Sequence, residues 1–155
     1  MANSVSATDR LEEVAPNEPS WRLEDTIKLT ELLAARGVDL VDVSSAGSDP
    51  RQKLPPILDT SSVYHADLSG PIKAALGDKI IVGVVGGITN GKMAQEALDK
   101  NEADLVLVGR MFQKNPGLVW NFAEDLGVSI SVAHQIGWGF FGRPGSVSKS
   151  VLRKE

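Results

Sequence analysis

The chain has 155 residues, enough for one ordinary domain but short of the ~250 that a complete (β/α)₈ barrel takes. Hydrophobic residues at 42% and charged residues at 23% suit a globular domain, and a net charge of −4 with scattered Lys and Arg excludes the basic footprint of a nucleic-acid binder. The lack of cysteine excludes disulfides, thiolate metal sites and cysteine nucleophiles and fits a cytoplasmic location; the opening MANSVSATDRLEE has no apolar stretch of the kind a secretory signal needs, and the longest apolar run, 80–85, is far below a membrane span.

In chain order, residues 4–7 are predicted as the stub of a first strand. Residues 23–36 read as a helix, with apolar side chains at helical spacing, Glu24 and Asp25 in the first turn and Gly37 as the stop. A short β-branched run follows at 37–43, and the Pro-bearing stretch 44–66 reads as a loop of a length usually kept for function. A helix over 69–76 is predicted, with Pro71 in its first turn and Gly77 ending it. A second strand is expected at 79–85 and a helix at 90–100 capped by Thr89 or Asn90, with Met93, Ala94, Ala97 and Leu98 on one face. A third strand is expected at 102–108, where EADLVLV echoes GVDLVDV of the first, and Asn115-Pro116 opens a last helix. Residues 1–142 form the expected domain, and the small, polar, basic stretch 143–155 is expected to be disordered.

Strands alternating with helices imply right-handed βαβ units and a parallel sheet, and near-continuous apolar strands fit a sheet covered on both faces. The predicted fold is α/β: part of a (β/α)₈ TIM barrel, its last three to four βα units, with parallel strands. Parallel α/β proteins bind ligands at the C-terminal ends of their strands. There the chain places Ser44-Ser45-Ala46-Gly47, then Gly86-Gly87-Ile88-Thr89, then Gly109-Arg110. Glycine admits a ligand close to the backbone and leaves N–H groups free, a helix start behind Gly86-Gly87 adds partial positive charge, and Arg110 brings a bidentate cation suited to phosphate. The blander reading makes the three glycines tight turns and Arg110 a surface residue; two such strand ends in succession favour a phosphate site.

The segments SWRLEDTIKLTELLAARGVDLVDVSSAG, VGVVGGIT and ADLVLVGRMFQKNP, in collinear order across residues 5–142, resemble the C-terminal part of the Old Yellow Enzyme family, in its YqjM-like branch of NAD(P)H:flavin oxidoreductases. The resemblance implies FMN as cofactor, NAD(P)H as reductant and activated alkenes as substrates. It implies that Gly86 and the Gly109-Arg110 pair bind the FMN phosphate; Gly87 stands where relatives often have Met. It also implies that the flavin-ring contacts and the substrate-binding His/His or His/Asn pair lie in a barrel half outside this sequence, so the chain alone is expected to be inactive and to self-associate or require that half. Ser4 stands where the family has an Arg near the flavin ring, and Trp138 where members can carry an Arg that reaches a neighbouring subunit. The alternatives are another phosphate-binding barrel enzyme, dihydroorotate dehydrogenase-like or IMP dehydrogenase-like, and a non-catalytic partner or pseudoenzyme module. His65 and His134 read as solvated or loop-packing, Ser44 and Ser45 lack a nearby His base for nucleophilic work, and Trp21, Trp120 and Trp138 read as packing residues.

Overall fold

A computed structural model describes residues 1–12, 14–52 and 63–142. Four strands, β1 (Ala2–Ser6), β2 (Leu40–Ser44), β3 (Ile81–Val85) and β4 (Leu105–Leu107), lie side by side in chain order, and every neighbouring pair is parallel. Helices α1 (Leu23–Ala34), α2 (Ala66–Leu76) and α3 (Gly91–Asp99) form the three crossovers. The short α4 (Arg110–Lys114), then α5 (Leu118–Leu126) and α6 (Gly137–Phe141), follow β4.

The register shows why this is a barrel segment. Val41 pairs with Val82 and Val43 with Val84, so these four fully buried side chains share one face of the sheet. On that face α1 packs through Leu23 and Ile27, α2 through Leu68, Ile72 and Leu76, and α3 through Met93, Ala94 and Ala97. Each fully buried Val or Ile contributes roughly 1.5–3 kcal/mol of transfer free energy. Crossovers of one hand between sequential neighbours keep all helices on one side, whereas a doubly wound sheet reverses its strand order and splits them. Four parallel strands in sequential order with helices on one face are four βα units of a (β/α)₈ barrel.

The opposite face carries the alternate residues. Leu40, Ile81 and Leu105 stand there, with Ile81 and Leu105 exposed, beside Ser4, Asp42 and Gly83 in one register row. Gly83 leaves room there for Leu107: a Cβ would sit 2.6 Å from its Cδ1, so the Leu107 side chain would have to move. Ser4, in the place where the resembled family has Arg, donates to Asp42 Oδ2 at 2.9 Å, and Asp42 Oδ1 is buried without a partner among the described residues.

Two predicted helix starts differ, those of α2 and α5, while the cap of α3 falls on one of its two predicted residues. Helix α2 starts at Ala66 rather than Ser69, because the His65 carbonyl already accepts from the Leu68 and Ser69 amides; Pro71 therefore lies inside the helix, on its exposed side. Asn90 caps α3, its side chain accepting from the Met93 amide. Pro116 precedes α5 without opening it, while the Asn115 side chain accepts from the Gly117 amide. Gly91 lets α3 meet α5, since a Cβ would come 2.5 Å from the Phe122 carbonyl oxygen. The expected tail at 143–155 lies outside the described residues, as do 53–62 of the long loop.

Candidate functional site

All four residues singled out from the sequence come together. Gly86 and Gly87 after β3, with Gly109 and Arg110 after β4, line one cavity of about 250 Å³ together with Val85, Ile88, Thr89, Leu107, Val108, Met111 and Lys114. A whole small-molecule ligand occupies pockets of ~300–1,000 Å³, so this cavity has the size of a subsite. It sits at the C-terminal strand ends, the functional end of a barrel.

The backbone there is open for donation. The amides of Gly86, Gly87, Gly109 and Arg110 have no hydrogen-bond partner among the described residues. The guanidinium of Arg110 and the ammonium of Lys114 take part in no ion pair among them either. Arg110 and Lys114 are four residues apart on α4 and so share a helix face. Lys114 escaped the sequence reading because a five-residue helix leaves no periodic signal to place it.

The glycines serve different ends. Gly86 has φ +117°, and a Cβ there would approach Tyr64 Cβ to 3.0 Å and His65 Nδ1 to 3.2 Å, so the fold itself demands glycine. Gly87 is left-handed at φ +72°. Gly109 has φ −100°, which any L residue adopts, and a Cβ would meet nothing within 4 Å. Neither backbone nor packing explains glycine at 109; it leaves clear space beside two free amides.

One expected contribution is absent. The start of α3 lies beyond the glycine pair at Gly91, whose amide donates to the Asp125 carboxylate at 2.8 Å, and the Met93 amide is taken by Asn90. The positive end of this helix is answered by an internal anion, leaving the loop amides and the two cations to make the site.

Around the cavity, side chains pin the strand ends to one another. Ser45 Oγ donates to the Thr8 carbonyl, Thr26 Oγ1 to the Ala7 carbonyl, and the Ala7 amide to Ser44. His65 is buried, not solvated, and lies tilted on Tyr64 with its ring nitrogens 3.1 Å from the carbonyls of Val85 and Ser45. Burial pushes its pKa below the ordinary value and Arg10 adds to this, while Asp67 and Asp42 pull the other way. Ser44 and Ser45 hydrogen-bond to backbone carbonyls, as expected of residues without a base. Trp120 packs on Phe140 with ring centroids 4.7 Å apart, but Trp138 is 67% exposed and does not pack as the sequence suggested.

A barrel segment with a cationic, amide-lined cavity at its strand ends belongs to the broad class of (β/α)₈ proteins, whose sites lie at that end. The comparisons narrow that class. The chain is 45% identical over 143 residues to an NADH:flavin oxidoreductase of Gibberella zeae, a match covering 90% of this chain and 34% of that protein. It is 35% identical over 120 residues to an NADPH dehydrogenase of Geobacillus thermodenitrificans and 37% identical over 126 residues to one of Listeria monocytogenes. These cover 76% and 81% of this chain and 33% of each relative. The chain belongs to this family of NADH:flavin oxidoreductases and NADPH dehydrogenases, the one its motifs resemble, and spans about a third of the length of the curated relatives it matches. No family model matches the chain. Among solved structures, wild-type GGGPS from Thermoplasma volcanium aligns with 85% of this chain and 49% of its own at 15% identity and a TM-score of 0.45; the fold assignment rests on the strand order instead.

Proposed function

We infer that the chain supplies the phosphate-binding end of an FMN site in an NAD(P)H-dependent flavin oxidoreductase that reduces alkenes conjugated to a carbonyl. The carrying observation is Gly109: a glycine that neither its φ nor its neighbours require, beside two partnerless amides and the guanidinium of Arg110. That set fits a phosphate monoester, which wants short charge-assisted N–H donors and a planar cation more than an enclosed apolar cavity.

The residues present fit the phosphate end alone. Gly86, Gly87, Gly109 and Arg110 would hold the phosphate, with Lys114 as a second positive charge at the rim. Bound FMN supplies the hydride chemistry. The flavin ring and the substrate need the remaining barrel strands, which the edges of β1 and β4, unpaired among the described residues, and the exposed Ile81 and Leu105 would meet. Accordingly the chain by itself is expected to bind flavin phosphate without turning over an alkene. Calorimetric titration with FMN, riboflavin and inorganic phosphate tests this. FMN binding well above riboflavin, with phosphate competing, supports the reading; equal affinity for FMN and riboflavin overturns it.

A further inference from the structure

Among the described residues, His65 is a buried titratable side chain at this end of the sheet that the phosphate site does not use directly. It is fixed by its place at the start of α2, where its carbonyl accepts from the Leu68 and Ser69 amides. From there its ring reaches across to β3 and lies 3.1 Å from the carbonyl of Val85, through Nδ1. Its neighbour Tyr64 donates its amide to the carbonyl of Gly86 at 3.0 Å.

Those two carbonyls belong to informative peptide units. The carbonyl of Val85 and the amide of Gly86 are opposite ends of one planar peptide; the carbonyl of Gly86 and the amide of Gly87 are opposite ends of the next. Both peptides are trans, so each carbonyl points away from its N–H. Holding both carbonyls on the Tyr64–His65 side aims both amides to the other side. Tyr64 and His65 are absent from the cavity lining, whereas Gly86 and Gly87 are part of it. Without a Cβ, both glycines have several backbone conformations open to them, so the observed positive φ at each must be fixed by contacts.

We propose that His65 is a positioning residue for the anion site: its Nδ1–H, with the Tyr64 amide, locks the two glycine peptides so that the Gly86 and Gly87 N–H groups face the bound phosphate. This rests on the phosphate reading of the cavity. It also assigns a reason to glycine at 86, since any Cβ would crowd the two residues that do the locking. With the proton on Nδ1, the unprotonated Nε2 only abuts the Ser45 carbonyl, 3.1 Å away, so the lock runs through the Val85 carbonyl.

The test uses the full chain and two variants: His65→Leu, which removes the donor, and His65→Asn, whose amide nitrogen takes the place of Nδ1. Two quantities are read in each: the ratio of FMN to riboflavin affinity, and the ¹⁵N heteronuclear NOE of the Gly86 and Gly87 amides. In His65→Leu the FMN preference is expected to drop by about tenfold or more, the loss of an aimed donor to a charged group, with riboflavin affinity unchanged and both NOEs lowered. His65→Asn is expected to recover both. If His65→Leu keeps its FMN preference and rigid glycine amides, or if His65→Asn fails to recover what His65→Leu loses, the positioning role is overturned. If the unsubstituted chain fails to prefer FMN, the phosphate reading falls, and the NOE comparison still decides whether His65 orders the glycine peptides.

Discussion

Replacing Gly109 by Ala separates the demands of the fold from those of a ligand. Glycine at this position has φ −100°, so alanine adopts the same backbone without strain, and the added methyl has open space around it. Alanine restricts the unfolded chain, which stabilises by ~0.4–1 kcal/mol at a compatible site. It is a poorer residue than glycine at the start of a helix, which costs a similar amount at α4. The two offset, and net stability is expected to stay within about 1 kcal/mol, a Tm shift of no more than about 4 °C for a chain of this size. Affinity for FMN is a different matter. The methyl sits beside the amides of Gly109 and Arg110 and holds the phosphate off them; loss of one charge-assisted hydrogen bond is worth ~1.5–3 kcal/mol, about tenfold to a hundredfold in Kd. Thermal melting and fluorescence titration with FMN and riboflavin, run on the same samples, read both quantities. A variant that melts normally but binds FMN no better than riboflavin is the expected outcome. A variant that loses several kcal/mol of stability, or keeps its full FMN preference, would refute the reasoning.

Other substitutions probe other parts of the account. Arg110→Ala is expected to weaken FMN by about 1.5–3 kcal/mol and leave riboflavin untouched, because only the phosphate meets the guanidinium; calorimetry at constant ionic strength checks it. Gly91→Ala is expected to lower stability by about 1–3 kcal/mol in a denaturant melt, since its Cβ would lie 2.5 Å from backbone that α5 cannot easily move. For His65, burial places the folded pKa below 6.5, so the unfolded chain binds a proton that the folded chain refuses. Stability is therefore level above that value and falls as pH drops from about 6.5 toward the folded pKa. Tm measured from about pH 7.5 to about pH 5.5 should show this fall in the unsubstituted chain and a smaller one in His65→Asn.

Much of this architecture was legible because barrel chemistry is written locally. The runs containing Val41, Val43, Val82 and Val84 announced strands, since these β-branched side chains all face the covering helices while Leu40, Asp42, Ile81 and Gly83 alternate onto the other face. Gly86, Gly87, Gly109 and Arg110 were visible as strand-end residues, and the parallel register then brought two sequence-distant pairs to one cavity. What could not be seen depended on contacts between distant segments. The start of α2 was misplaced because proline is a strong first-turn signal, whereas the true start is set by the His65 carbonyl. His65 looked like a loop residue because nothing local records that it lands against Val85, 20 positions away. At Gly86 the sequence does not reveal that Tyr64 and His65 crowd the position and already require glycine, whereas at 109 nothing in the fold requires it.

The most direct measurement of the central claim is a ¹H–¹⁵N NMR titration of the chain with FMN, followed residue by residue. The account predicts that the largest shifts fall on the amides of Gly86, Gly87, Gly109 and Arg110, and that inorganic phosphate moves the same four in the same direction. Shifts concentrated elsewhere, or four amides that stay still while FMN binds, would contradict it.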